Sequence, residues 1–349
     1  MTSPAVTSPA VTSPAVPSPA VPIVGIVGCG VTGQSVGRVL RSVGLRPAWF
    51  DVAVGAAERA SRRFGGVVLD SVHDLGVVDV VVVASPTPQL ELVQALLADG
   101  RDVVSASDDP HDVEALLKLH DWVRQQGQRL VVGAALSPGL TGLLARHLAD
   151  QLDVVDEIHV AMHGTGGPAC ARQHHDALGN TAVGWHDGAW LERAGGSGRE
   201  LCWFPDPVGS ADCYRAALAD PLVLHHAFAQ VERITARVSA NRRDRLTARL
   251  PMLAPAHAAG DRGAIRVEVR GALSGGARVT HVAGAVGRTG DMAGSVAALF
   301  AQACVQTRPD PGVVVAGADR DLSAWVLAAA VDAGVSLQEY NGVARANDA

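Results

Sequence analysis

The chain has 349 residues, enough for about two domains, and is 48% hydrophobic but only 4% aromatic, so its core must be built from Val, Leu and Ala. A net charge of −6 without a basic block argues against nucleic acid as the main partner, and no apolar stretch reaches the roughly 18 to 20 residues that span a bilayer, so no membrane partner is expected. Five scattered cysteines without a C-x-x-C pair (Cys29, Cys170, Cys202, Cys213, Cys304) read as the reduced thiols of a cytoplasmic protein.

Residues 2–20 repeat Thr-Ser-Pro-Ala-Val nearly four times. Proline at every fifth position blocks helix and sheet ladders alike, so residues 1–21 are expected to form a disordered tail without the features of a signal peptide. The informative stretch follows, from Pro22 to Asp51. An apolar run (Ile23, Val24, Ile26, Val27) enters Gly28-x-Gly30-x-x-Gly33, a helical segment runs to Gly44, and a second apolar run closes on Asp51. This is one βαβ unit with a dinucleotide fingerprint. Gly28 serves the sharp turn, Gly30 the close approach of a diphosphate, and Gly33 the packing of helix on sheet. Gly28, Gly30, Val31, Thr32 and Gly33 would hold phosphates at the helix N-terminus. Asp51, eighteen residues after Gly33, would hold the adenosine ribose and favour NAD over NADP. Arg59, Arg62 and Arg63 follow closely, and they keep NADP as the alternative.

A helix is expected over Ala56–Phe64, a short strand at Val67–Leu69, and a central parallel strand at Asp79–Ala84, continuously apolar because both its faces are covered. That strand opens into Ser85-Pro86-Thr87-Pro88 at the carboxyl edge of the sheet, where ligands bind, so Ser85, Pro86 and Thr87 are cofactor candidates. A helix over Gln89–Asp99 and a strand over Asp102–Ala106 lead into Ser107-Asp108-Asp109-Pro110. Here Ser107 is a cofactor candidate and Asp108 a catalytic one, although either could instead cap the next helix. That helix is expected over His111–Gly127, a strand over Arg129–Ala134, and a further helix to Gln151 after Leu136-Ser-Pro-Gly-Leu-Thr-Gly142.

The glycine fingerprint, Ala-Ser-Pro-Thr-Pro at 84–88, Val-Val-Ser-Ala-Ser-Asp-Asp at 103–109 and the segment VVGAALSPGLTGLLARHLA at 131–149 together resemble the saccharopine dehydrogenase-like reductases. The layout is similar, more loosely, to diaminopimelate dehydrogenase, dihydrodipicolinate reductase and the glucose-fructose oxidoreductase group. The resemblance covers Ile23 to about Asp150. It implies NAD(P)-dependent hydride transfer at a carbon bearing nitrogen in a small amino-acid-like substrate. The Glu-Lys-Pro motif of the sugar oxidoreductases is absent, which disfavours alcohol or sugar oxidation. A non-catalytic nucleotide sensor is the alternative from a different class.

Beyond residue 150, alternating segments at Val154–His163, Val231–Ala240, Ala264–Leu273 and Ala277–Arg288 suggest about four strands of a largely antiparallel sheet, with a hairpin at Ser274-Gly275-Gly276. One face of that sheet would roof the cofactor or build the interface of a homo-oligomer. The segment 164–215 is dense in His, Arg, Trp and Gly and reads as a pocket wall. In it Arg172 or Arg215 would hold a substrate carboxylate, Asp212 or Asp206 an amino group, and Trp203 a wall of the pocket, while His174 or His175 would move the proton. Cys170 suggests thiolate attack on an aldehyde, but its surroundings do not resemble the cysteine motifs of the semialdehyde dehydrogenases. The adjacent pairs His174-His175 and His225-His226 point different ways, so no metal site is expected. A helix from Gly290 to Val305 with Asp291 as its cap, a strand at Gly312–Ala316, a helix over Arg320–Ala333, a last strand at Val335–Tyr340 and a frayed end at 345–349 complete the chain. The expected architecture is α/β: a Rossmann-type doubly wound parallel sheet (22–135), an α+β substrate and oligomerisation domain (136–290), and a C-terminal return to the nucleotide domain (291–349).

Overall fold

A computed structural model describes residues 21–252 and 260–340. The repeat at 2–20 and the end at 345–349 lie outside the described residues. The first half runs β1 (Ile23–Val27), α1 (Val31–Ser42), β2 (Arg46–Phe50), α2 (Ala56–Phe64), β3 (Val67–Val68), β4 (Val80–Val83), α3 (Leu90–Ala98) and β5 (Asp102–Ser105). It continues with α4 (Pro110–Leu117), α5 (His120–Gln125), β6 (Arg129–Val132) and α6 (Leu140–Ala149). The second half runs β7 (Val154–His163), α7 (Pro168–Ala177), β8 (Thr181–His186), β9 (Ala189–Ala194), β10 (Glu200–Trp203), β11 (Ser210–Arg215), α8 (Asp220–Ala227) and β12 (Arg233–Ser239). Then come α9 (Arg242–Thr247), β13 (Arg262–Ala272), β14 (Arg278–Arg288), α10 (Thr289–Gln306), β15 (Gly312–Val315), α11 (Arg320–Asp332) and β16 (Ser336–Glu339).

Seven strands form one parallel sheet in the order β15-β6-β5-β4-β1-β2-β3. The strand order reverses between β1 and β4, which leaves a crevice at their carboxyl ends. The tetravaline β4 is buried along its whole length, as a strand with helices on both faces must be. The second sheet has nine strands, with β10-β11-β12-β7-β13-β14-β16 in sequence and β8 and β9 attached at β12. All its pairs are antiparallel except β12 with β7. The expected fold class, a Rossmann-type sheet with a largely antiparallel second sheet, is the one observed.

Four local expectations are corrected. The helix expected over His111–Gly127 is two, because the chain tightens at Lys118 and Leu119, where Leu119 N–H donates to Leu116 three residues back. The turn brings the His120 ring to the edge strand, where its Nδ1 accepts from Val313 N–H at 3.2 Å. The expected sheet of about four strands has nine. The segment read as a pocket wall supplies four of them, and β8 and β9 are joined by Asp187-Gly188, both at positive φ (48° and 83°), a two-residue hairpin turn for which Asp-Gly is a favoured pair. The C-terminal return is divided: β15 joins the parallel sheet beside β6, but β16 pairs with β14 in the second sheet. Asp291 does not cap α10. Its carboxylate lies 3.7 Å from Arg38 and its carbonyl accepts from Ser35 Oγ, tying α10 to α1.

Helix α1 carries the dinucleotide loop and lies close on the sheet because it presents Gly37 to Trp49. A Cβ on Gly37 would sit 2.0 Å from Trp49 Cη2, and the indole cannot easily retreat, since it is fully buried and its Nε1–H donates to Gly65 O at 2.7 Å. Gly37→Ala is therefore expected to lower stability by about 1–3 kcal/mol through overpacking, read as a lower urea midpoint. An unchanged midpoint would show that the α1–Trp49 contact yields freely.

Candidate active site

The crevice at the β1/β4 reversal opens into a cleft of about 260 Å³. One end is formed by the loop between β1 and α1. Gly28 takes φ +97°, and a Cβ there would strike the backbone of Ala84 and Ser85. On Gly33 it would strike Gly28 O at 1.8 Å, whereas on Gly30 it would meet no protein atom within 4 Å. The first two glycines are thus required by the fold, and the third leaves a space facing the cleft. Helix α1 starts there with no side-chain cap and no acidic residue in its first turn, so the N–H groups of that turn present an anion site. Val31 and Thr32 line it. Asp51 lines the same end and is held at both oxygens: Oδ2 accepts from Cys29 N–H at 2.6 Å and Oδ1 from Ala53 N–H at 2.7 Å. None of Arg59, Arg62 and Arg63 lines the cleft.

Ser85, Pro86 and Thr87 after β4, and Ser107 and Asp108 after β5, line the middle of the cleft. The helix that follows is capped by Asp109, which accepts from His111 and Asp112 N–H. Asp108 is thereby left to face the cleft. Gln89, buried and not singled out from the sequence, ties the two loops together. It donates to Ser85 O at 2.7 Å and accepts from Ser105 Oγ at 2.8 Å, while Asp112 accepts from the N–H groups of Gln89 and Leu90. Ser107 Oγ is buried without a partner among the described residues, as a hydroxyl awaiting a ligand would be.

The far wall is α7, a helix the sequence did not reveal because Gly164 to Pro168 reads as loop. Pro168, Ala169, Cys170, Gln173 and His174 line the cleft from it. Four-residue spacing sets Cys170 and His174 on one helix face, with Cys170 Sγ 3.6 Å from His174 Nε2. Asp108 Oδ2 lies 3.6 Å from the same nitrogen. Burial of His174 by itself would lower its pKa, but Cys170 and Asp108 together hold it well above the usual histidine value. These two neighbours favour the protonated form of His174, whose Nε2 proton would be aimed at the sulfur and the carboxylate. The three donor atoms lie within 4.8 Å of one another, a span that a divalent cation could bridge only by displacing that proton.

The structure divides the other candidates from this cluster. His175 turns away and its Nε2 pairs with Leu250 O at 2.9 Å. Arg172 is exposed on the outer side of α7. Asp212 pairs with Arg199 at 3.0 Å, Trp203 is 61% exposed on β10, and Arg215 lines a separate cavity. Consecutive residues face opposite ways on a strand and different ways around a helix, so a dense stretch of sequence need not converge. Among the described residues no Arg or Lys lines the cleft, and its titratable groups are Asp51, Asp108, Cys170 and His174. All five cysteines are free, and burial, then the charge of Asp51, pushes the Cys29 thiol up to about 12.

Behind Ser137, which lines the cleft, lies Asp220 at the start of α8, fully buried and accepting from Ser137 Oγ (2.6 Å) and Thr141 Oγ1 (2.7 Å). Burial pushes its pKa up to about 6 against those two hydrogen bonds.

No protein-family model matches the chain, and no curated protein sequence does. Among solved structures it is similar to saccharopine dehydrogenase (L-Glu forming) from Saccharomyces cerevisiae, at 14% identity over 92% of this chain and 100% of that one, with a TM-score of 0.71. GenD2 from gentamicin A biosynthesis, solved with NAD, matches at 16% identity over 95% and 100% of the two chains with a TM-score of 0.47. A mutant diaminopimelate dehydrogenase from Clostridium tetani matches at 13% over 84% and 93%, with a TM-score of 0.46. The yeast enzyme shares the fold; the two lower overlaps carry no argument.

Asp220 supplies a pH test. Its folded-state pKa of about 6 lies above the ordinary aspartate value of 3.8, so its contribution favours folding fully below about pH 4 and is lost as pH rises through about 6. In Asp220→Asn this loss is expected to vanish, so that wild type minus variant stability falls by on the order of 2–3 kcal/mol between pH 4 and pH 7. Urea unfolding across that range reads it, and a flat difference would mean that Asp220 ionises as freely folded as unfolded.

Proposed function

We propose that the protein is an oxidoreductase dependent on a nicotinamide dinucleotide, with NAD preferred to NADP, that acts on a carbon bearing an amine or imine in a small molecule. One observation carries this reading. The uncapped N-terminus of α1, the open space at Gly30 and the fixed carboxylate of Asp51 share a single cleft with a buried histidine beside a carboxylate. The first three fit a diphosphate and a ribose. Asp51 would accept from ribose hydroxyls and would repel a 2′-phosphate. Ser85, Pro86, Thr87 and the unpartnered Ser107 hydroxyl fit the half of the cofactor that enters between the β4 and β5 loops. Bound there, the dinucleotide would supply or take up the hydride.

The work of this chain is then to place the reacting carbon and manage the proton. Asp108 would hold a substrate nitrogen by a charge-assisted hydrogen bond. His174 would deliver the proton from Nε2 or take it back, and its elevated pKa suits it to donation at neutral pH. Without an Arg or Lys among the described residues that line it, the cleft gives no bidentate clamp for a carboxylate, so Asp108 and His174 would carry the polar recognition. A second reading is favoured by the 3.6 Å approach of Cys170 Sγ to His174: attack of the Cys170 thiolate, paired with protonated His174, on an aldehyde carbon, whose oxygen would take the His174 proton. Cys170→Ser separates the two, because it abolishes the thiol route, whereas in the proton route it lowers the His174 pKa and shifts the pH profile without abolishing turnover. A nucleotide sensor, the third reading, would bind dinucleotide and turn over nothing.

NADH titration followed by fluorescence should show saturable binding, tighter than for NADPH and weakened in Asp51→Ala. Silence with both nucleotides would end the proposal. In turnover with NADH and a panel of oxo acids with and without amines, His174→Gln is expected to lower kcat about 10²–10⁴-fold with NADH binding kept. Asp108→Asn removes one of the two charges that raise the His174 pKa. The activity limb that falls as pH rises should therefore move to lower pH, and a limb that stays in place would show that another group gives the proton.

A further inference from the structure

A second cavity, of about 420 Å³, lies on the other face of the nine-stranded sheet. Alternation along the strands sets this geometry: Ile234 and Val238 of β12 and Met162 of β7 enter the main core, and Met162 also borders the dinucleotide cleft. Arg233, Thr235 and Arg237 of β12 and His159 of β7 point the opposite way, into the second cavity under the β8–β9 hairpin.

Its wall holds five arginines, Arg193, Arg215, Arg233, Arg237 and Arg270, against one carboxylate, Glu200. Glu200 pairs with Arg237 at 2.9 Å, and Glu157 behind the wall pairs with Arg233 at 2.9 Å and Arg270 at 3.1 Å. Burial lowers the pKa of His159, which disfavours the charged form of that ring. Two guanidinium groups are left over. Arg193 donates only to the carbonyl of Glu192, and Arg215 has neither a carboxylate in ion-pair reach nor a hydrogen-bond acceptor among the described residues. The Nε groups of Arg233 and Arg237 are buried and also lack acceptors. Arg215 faces Arg237 and Arg193, and its pKa is lowered by burial first and by these two charges next. Arginine forks converging on one hollow without matching carboxylates are the arrangement that oxyanions bind.

We propose that this basin is a binding site for a small dianion, a phosphate monoester or a dicarboxylate, held by Arg215, Arg193 and the free Nε edge of Arg237. The site is separate from the dinucleotide cleft, with the sheet between them. It absorbs Arg215, which the sequence pattern assigns to the substrate pocket.

Calorimetric titration of the full chain with inorganic phosphate and, separately, with malonate tests it. Saturable one-site binding of either is expected, with phosphate or malonate as the tighter ligand naming the class, and with affinity falling as salt rises. Arg215→Gln and Arg193→Gln should each weaken it roughly tenfold or more, and Glu200→Gln, which frees Arg237, should strengthen it. NADH titration of the same variants should be unchanged, which separates this result from any failure of the dinucleotide reading. Absence of binding by both anions overturns the proposal. So does a phosphate signal that survives Arg215→Gln and Arg193→Gln intact, since that anion sits on the glycine loop, and so does a change confined to oligomeric mass, since the arginines then serve contact between copies.

Discussion

The unpaired N–H groups at the start of α1 are the constraint around which the cleft is arranged. A helix begins with backbone donors that no turn precedes, and most helices answer them with a serine or aspartate cap. Here Gly30 stands at that position and offers nothing. The deficit is kept open by construction: Gly33 lets the loop fold against its own helix, Gly28 turns it out of β1, and Asp51 fixes the loop by accepting from Cys29 N–H. An anion at that point would satisfy donors that the protein leaves unsatisfied, and the same carboxylate that braces the loop restricts which sugar can lie beside it.

Opposite that anion site, the polar groups are wired to one another from behind. Gln89 joins the β4 and β5 loops, Asp112 joins Gln89 to α4, and Asp220 joins α8 to the turn that carries Ser137. The links are buried or half-buried hydrogen bonds, for which an unpaired partner costs more than the bond contributes when made. Such wiring fixes the β5 loop, which carries Ser107 and Asp108, relative to the β4 loop. It is also why Asp220 can remain buried although desolvation opposes its charge: two hydroxyls aim at its oxygens.

The nucleotide half was largely legible because its rules are local. Apolar runs, a glycine triplet and an acid at a set distance specify one βαβ unit, and Ala56–Phe64 was readable to the residue as α2. The second half depends on long-range pairing. Strands β10 and β11 carry no clear alternation and are strands because β12 offers an edge to β11 and β11 one to β10, so a segment read as pocket wall also carries sheet. The Asp187-Gly188 turn was the missed signal that would have placed a hairpin there. Of the candidate proton carriers, sequence could not divide His174 from His175. The division follows from helix periodicity, which becomes visible only once Pro168–Ala177 is known to be helical. Asp109 as a cap, and hence Asp108 as free, follows from exact helix register, which composition does not fix.

The second sheet shows how one element serves two environments. Its inner face must be apolar because it closes the core against α6 and α10, and that demand recurs at every second residue. The intervening positions are free of it, and in β12 and β13 they are occupied by Arg233, Arg237, Arg266, Glu268 and Arg270. A ladder of alternating charge would need one carboxylate for each guanidinium. Glu157 and Glu268 each serve two arginines instead, and Arg215 receives none. Such a shortfall on a monomer surface has to be met by solvent, by counter-ions or by a ligand. In a half-enclosed hollow roofed by β8 and β9, solvent meets it least well, and this is why the imbalance there carries more meaning than the same residues would on an open face.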